Sequence, residues 1–109
     1  MKLLALLVVL TTSLNSFAGP ASWYGAECHG KLMANGKPFD MNALTCASYH
    51  YPLGTLLKVE FGTKFVVVKV TDRGPNKRLN REIDLSRAAF KRLAPLDNGL
   101  IHVSLKVVK

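Results

Sequence analysis

Seven acidic side chains, three histidines and two cysteines are the groups of this chain whose ordinary pKa values lie nearest the range of acid–base and nucleophilic chemistry at neutral pH. One of them stands out by position. Asp72 lies in Thr71-Asp72-Arg73-Gly74-Pro75, directly after the apolar run Phe65-Val66-Val67-Val68-Lys69-Val70. A buried strand that ends in an acid, a base and a Gly-Pro turn delivers a carboxylate to a barrel rim, where desolvation and a fixed backbone can tune it. Asp72 is therefore the first candidate for chemistry. The bland alternative is a carboxylate that only caps its own turn, as Asp often does.

Cys28 and Cys46 form an even pair, which in an exported chain predicts one disulfide. Closing a loop of that length is worth roughly 3 kcal/mol in the chain-entropy model. A cysteine nucleophile working with His29 or His50 is the weaker reading, since an oxidising compartment disfavours a free thiolate and no third group orients the pair. Two cysteines and scattered histidines lack the spacing of a zinc site, and no metal or other cofactor is called for.

These groups need elements to position them. Ala21-Ser22-Trp23-Tyr24-Gly25 reads as a first short strand, and residues 28–40, rich in Gly, Asn and His, as a long surface loop. A helical turn or short strand is expected within 41–51, a strand at 56–61, a tight Gly62-Thr63 hairpin, and a strand at 65–70. Asp84 or Ser86 is expected to cap a helix over 87–93, which Pro95 ends. The last strand, 101–108, alternates Ile101, Val103, Leu105 and Val107 with His102, Ser104 and Lys106. Several short strands and one short helix in so few residues favour a small closed barrel, mainly β.

The first residues read as a signal peptide. Lys2 gives a positive n-region, residues 3–10 an apolar core too short to span a bilayer, and Ser16-Phe17-Ala18 a small-x-small cleavage pattern. The expected organisation is a signal at 1–18 and one domain at 19–109, with no lipid-anchored cysteine at the cleavage point. Such a domain is small enough for core burial to be marginal. The formal charge of +8 falls only to +7 without Lys2, the one charged residue in the signal. A basic exported surface points away from nucleic acid and toward wall polymers, acidic glycans or anionic lipid head groups.

Further motifs occur in order: His29-Gly30, Met33-Ala34-Asn35-Gly36, Phe39-Asp40-Met41-Asn42-Ala43-Leu44-Thr45, Pro52-Leu53-Gly54-Thr55 and Ile83-Asp84-Leu85-Ser86. With Ala21-Ser22-Trp23-Tyr24-Gly25 and the Asp72 segment they span nearly all of 19–109. The chain resembles the rare lipoprotein A (RlpA) family. That resemblance implies a six-stranded double-psi β-barrel with one or two short helices, similar to expansins and barwin. It also implies an endolytic peptidoglycan transglycosylase acting on glycan strands in the periplasm or outside the cell. The protein is expected as a monomer without a membrane span.

A hydrolase of glycosidic bonds uses two carboxylates, whereas a lytic transglycosylase needs one. The C6 hydroxyl of muramic acid attacks its own anomeric carbon, so one carboxyl group serves as acid and then as base. By resemblance Asp72 stands at the family's catalytic aspartate. A general acid near neutral pH calls for partial burial, here against neighbours such as Val70. Arg73 is read as structural or as a ligand for substrate carboxylates. Tyr24, His29, Asn35, Lys37, Ser48 and Asp84 are read as groove lining, although Trp23 and Tyr24 also suit a core and Asp84 a cap. Asp40 is expected to order its own loop, and His50 and His102 to lie at the surface.

Two positions depart from the family pattern. Lys37 stands where a Glu is usual and Ser48 where a His is usual. Lys37 near the acid would work against proton retention, and Glu27 in the adjoining loop is a candidate replacement carboxylate. The alternative class is therefore a non-catalytic wall-binding or expansin-like module. A more distant third is an inhibitor-like secreted barrel.

Overall fold

The computed structural model describes residues 16–74 and 82–109. The signal's charged and apolar regions, and Pro75 of the Asp72 turn, lie outside the described residues. Six strands form a closed barrel: β1 (Ser16–Tyr24), β2 (Thr45–Ala47), β3 (Leu56–Phe61), β4 (Lys64–Asp72), β5 (Ile83–Ser86) and β6 (Ile101–Val107). One helix, α1 (Arg87–Leu93), and a single 3₁₀ turn at Leu96–Asn98 complete the described elements. The strand order around the barrel is β1-β5-β2-β4-β3-β6. Two pairings, β1 with β5 and β2 with β4, are parallel, and the other four are antiparallel.

Alternation decides what faces inward. Val66, Val68 and Val70 of β4 are buried while Phe65, Val67 and Lys69 between them face out. Leu57 and Val59 of β3 and Ile101, Val103 and Leu105 of β6 meet them in one core. Val107, expected to continue that inward row, is exposed at the strand's end. The hairpin between β3 and β4 turns on Gly62, whose φ of 61° suits glycine, and Phe61 and Lys64 close it.

β1 is longer than its sequence suggests. β6 offers a long partner, and the ladder runs back through Pro20 and Gly19, pairing Ala18 with Ser104 and Phe17 with Leu105. The cleavage point expected after Ala18 therefore falls within β1. Trp23 packs beside the core, its ring 6.4 Å from that of Phe90, and donates from Nε1 to the Leu96 carbonyl. Its ring also explains Gly25: a Cβ there would come within 2.9 Å of the indole.

Ser86 rather than Asp84 caps α1. Its Oγ accepts from Ala89 N at 3.2 Å and donates to the Ala43 carbonyl at 2.6 Å, so one buried hydroxyl ties helix, β5 and the approach to β2 together. Ser86→Ala removes a cap and strands a carbonyl, for an expected loss of about 2 kcal/mol in urea unfolding. A loss under about 0.5 kcal/mol would mean that the cap carries nothing.

The predicted disulfide is corrected by this arrangement: Cys28 and Cys46 are both free thiols. Successive strand residues point to opposite sides. Cys46 points into the barrel core, whereas its neighbour Ala47 packs in a separate cluster with Tyr24 and Phe39, and Cys28 packs on that outer cluster. Burial, and secondarily Asp84, pushes the Cys46 thiol up to about 12, so it stays protonated. Burial also raises the Cys28 thiol, helped by Glu27. Thiol titration without reductant is expected to find both groups in denaturant, and Cys28 reacting well before Cys46 in the folded protein. Finding no thiol in denaturant would restore the bridge.

Candidate functional site

Strand register sets the site. Ser22 of β1 pairs with Asp84 of β5, Asp84 with Ala47 of β2, and Ala47 with Asp72 of β4, so the four residues form one row across four neighbouring strands. A register shift between Cys46 and Ala47 decides which β4 residue joins that row: Cys46 pairs with Val70, but Ala47 pairs with Asp72 rather than Thr71. The two acids stand two strand spacings apart, about 10 Å between backbones. Ala47 lies between them and leaves room above it.

The row floors a groove of about 540 Å³. Asp72, Asp84, Tyr24 and Arg73 line it, together with Lys31, Met33, Phe39 and Tyr49. Asp72 is half-buried, and one of its oxygens, Oδ1, accepts from Ala34 N and from Arg73 N, each at 2.9 Å. Its backbone carbonyl accepts from Ser48 N at 3.0 Å. The first of these contacts comes from the loop between β1 and β2, which folds over the end of β4 and also donates from Asn35 N to the Thr71 carbonyl. Asp72 is thus held from two directions at the groove wall. Asp84 accepts from the Ser22 hydroxyl at 2.8 Å.

Tyr24 lies between the two carboxylates in its electrostatics and beneath the groove in its packing. Its ring stacks on Phe39 at 4.3 Å, and its enclosed hydroxyl has no hydrogen-bond partner among the described residues. Burial, then Asp72 and then Asp84, raises the phenol far above its ordinary value, so it is a donor and never a phenolate. Because an unpartnered buried hydroxyl costs stability, Tyr24→Phe is expected to raise stability by about 1 kcal/mol in the free protein. A fall in melting temperature would show that the hydroxyl has a partner.

The other residues read from the sequence divide clearly. Arg73 reaches the groove, but its Nη1 donates to the carbonyls of Ser48 at 2.8 Å and Tyr51 at 2.7 Å, which ties the segment after β2 to the end of β4. Ser48 is buried and its Oγ accepts from His50 N, so it supports the Asp72 segment from behind. His29, Asn35 and Lys37 do not line the groove. His29 Nδ1 accepts from Met41 N, and Asn35 Oδ1 accepts from Lys37 N in the tip of the same loop. Glu27 also stays outside the groove. Its Oε1 accepts from Gly25 N, a contact that lowers its pKa. Asp40 orders its own loop by accepting from Asn42 N. His50 is exposed, with its Nε2 against Glu82 Oε1, and His102 faces out. Among the described residues no group of acidic, His or Cys side chains is arranged to hold a metal.

Lys31 and Tyr49 are the lining residues that the sequence left unmarked. An exposed aromatic after the buried Ala47-Ser48 pair was the available signal for Tyr49. Lys31 carries none, because only the fold of the loop turns it toward the groove.

Comparison with known proteins bears on this groove. Residues 16–105 match the family described as lytic transglycolase. The chain is 44% identical over 94 residues to a probable endolytic peptidoglycan transglycosylase RlpA of Aquifex aeolicus, covering 84% of this chain and 41% of that protein. It is 42% identical over 92 residues to the endolytic peptidoglycan transglycosylase RlpA of Campylobacter jejuni, covering 83% of this chain and 33% of that one. The chain thus spans well under half the length of these curated relatives. Among solved structures it is similar to a Streptomyces papain inhibitor, with a TM-score of 0.70 and 27% identity over 86% of this chain and 94% of that one. It is also similar to an apo expansin of Clavibacter michiganensis, with a TM-score of 0.68 and 26% identity over 86% of this chain and 50% of that one.

Proposed function

The chain belongs to the lytic transglycolase family, and from that premise we propose that it is an exported endolytic peptidoglycan transglycosylase with Asp72 as its acid and base. The observation that carries this reading is the placement of Asp72: a half-buried carboxylate lining the groove, with one oxygen fixed by two backbone N–H donors. The relatives named as peptidoglycan transglycosylases support the substrate class.

The chemistry balances with this one group. Protonated Asp72 gives its proton to the oxygen that links MurNAc to the following GlcNAc, and the glycosidic bond breaks at the MurNAc anomeric carbon. The C6 hydroxyl of the same MurNAc closes onto that carbon. Its proton passes to the Asp72 carboxylate, which restores the acid and leaves a 1,6-anhydro end without consuming water. Asp84, held by Ser22, binds sugar hydroxyls across the groove floor, with the Tyr24 ring packed beneath it, while Lys31 and Tyr49 line its walls. Lys37 does not line the groove in which this step takes place.

A second reading is a wall-binding module that holds glycan without cleaving it. The likeness to the apo expansin and the lack of a Glu in the groove lining favour it. Incubation with denuded glycan strands separates the two. Mass analysis of the products is expected to find 1,6-anhydromuramic ends; strand binding with no such ends would assign the second reading.

A further inference from the structure

The outward side of β3, β4 and β6 is cationic and apolar at once. Lys58 of β3 pairs directly with Lys106 of β6 on one side and with Val67 of β4 on the other. Lys69 of β4 follows two residues after Val67 and faces out as well. Like charges placed directly opposite across a ladder are destabilising unless an anion lies between them. The only acid on the outward side of these three strands is Glu60. Phe65 is 57% exposed and Val67 39%, and Lys58 Nζ sits 4.6 Å above the Phe65 ring.

We propose that this face docks on an anionic phospholipid surface. Charge complementarity selects the phosphate layer, and the exposed Phe65 and Val67 select a lipid interface over a soluble polyanion, because a polyanion has use for the lysines alone. Lysines on an apolar surface keep their ammonium groups at the phosphate level while their stems and the neighbouring rings enter the acyl boundary. Phe65 is the second residue of β4 and Asp72 the last, about 23 Å further along the strand. Docking therefore leaves the groove rim open, and it does not depend on what the groove does.

Sedimentation with vesicles of phosphatidylglycerol and phosphatidylcholine, against phosphatidylcholine alone, tests this. Partition is expected to be at least tenfold greater on the anionic vesicles and to weaken as salt rises. Each lysine near such a surface contributes about fivefold, so Lys58→Gln, Lys69→Gln and Lys106→Gln together lower partition roughly a hundredfold. Phe65→Ser is expected to weaken vesicle binding without a change in charge, and Asp72→Asn to bind as wild type does. Thermal melts verify that each variant is folded. Equal partition on both vesicles, or a folded triple variant that binds as wild type, overturns the assignment. So does binding to long-chain polyphosphate without binding to anionic vesicles. The salt dependence of the wild type decides the matter even where a variant does not fold.

Discussion

Asp72→Asn is expected to reduce the yield of 1,6-anhydromuramic ends by about a thousandfold, within the range lost with a general acid–base group. The substitution is nearly isosteric. An asparagine Oδ1 can still accept from Ala34 N and Arg73 N, so the loop after β1 stays seated on the end of β4. What disappears is the ability to give and regain a proton. Unchanged strand binding and an unchanged melting temperature, beside the lost product, would assign the loss to chemistry rather than to folding. Cleavage at the wild-type rate would remove Asp72 from the mechanism and return it to the role of a turn cap.

Phe90→Ala is expected to destabilise the domain by about 3–5 kcal/mol. Phe90 is fully buried on α1, packs in the core with Ala89 and Leu93, and lies beside Trp23. A domain of this size is stable by about 5–15 kcal/mol in total, so a loss of that order brings it close to unfolding at growth temperature. Trp23 is the only tryptophan and reports on that neighbourhood directly. Its fluorescence in a urea titration should give a lower midpoint with an unchanged slope. Because Tyr24 follows Trp23 in β1, the groove floor is expected to loosen before the barrel opens. A midpoint shift equivalent to less than 1 kcal/mol would mean that α1 is peripheral to the core.

Much of the barrel was readable from local patterns. The valine alternation of β4, the Gly62-Thr63 hairpin, the inward Ile101, Val103 and Leu105 of β6 and a cap at Ser86, one of two candidates, each depend on neighbours within a few residues, and each appears in the structure. β1 was read as 21–25 because residues 16–18 were assigned to a cleavage signal, and the strand begins earlier because β6 lies beside it as a partner. The disulfide was inferred from cysteine number and compartment. Neither bears on direction, and the two side chains lie on different sides of β2. His29, Asn35 and Lys37 were assigned to the groove by motif, yet their loop spends two of these side chains on its own backbone, and all three lie outside the groove lining.

The sequence alone was enough to determine β3, β4 and β6, the place of Asp72 at a strand end and the family to which the chain belongs, because periodicity, turn chemistry and motif order are properties of neighbouring residues, whereas Ile83–Ser86, read as a helix start, is the strand β5. Tertiary structure alone decided which acids share a surface. Asp72 and Asp84 lie twelve positions apart in the chain and become neighbours in a row only through a barrel order that inserts β2 between β4 and β5, with a one-residue shift at Ala47 to bring the row into line. Strand order and register are set by the packing of the whole core, which no local stretch of sequence contains.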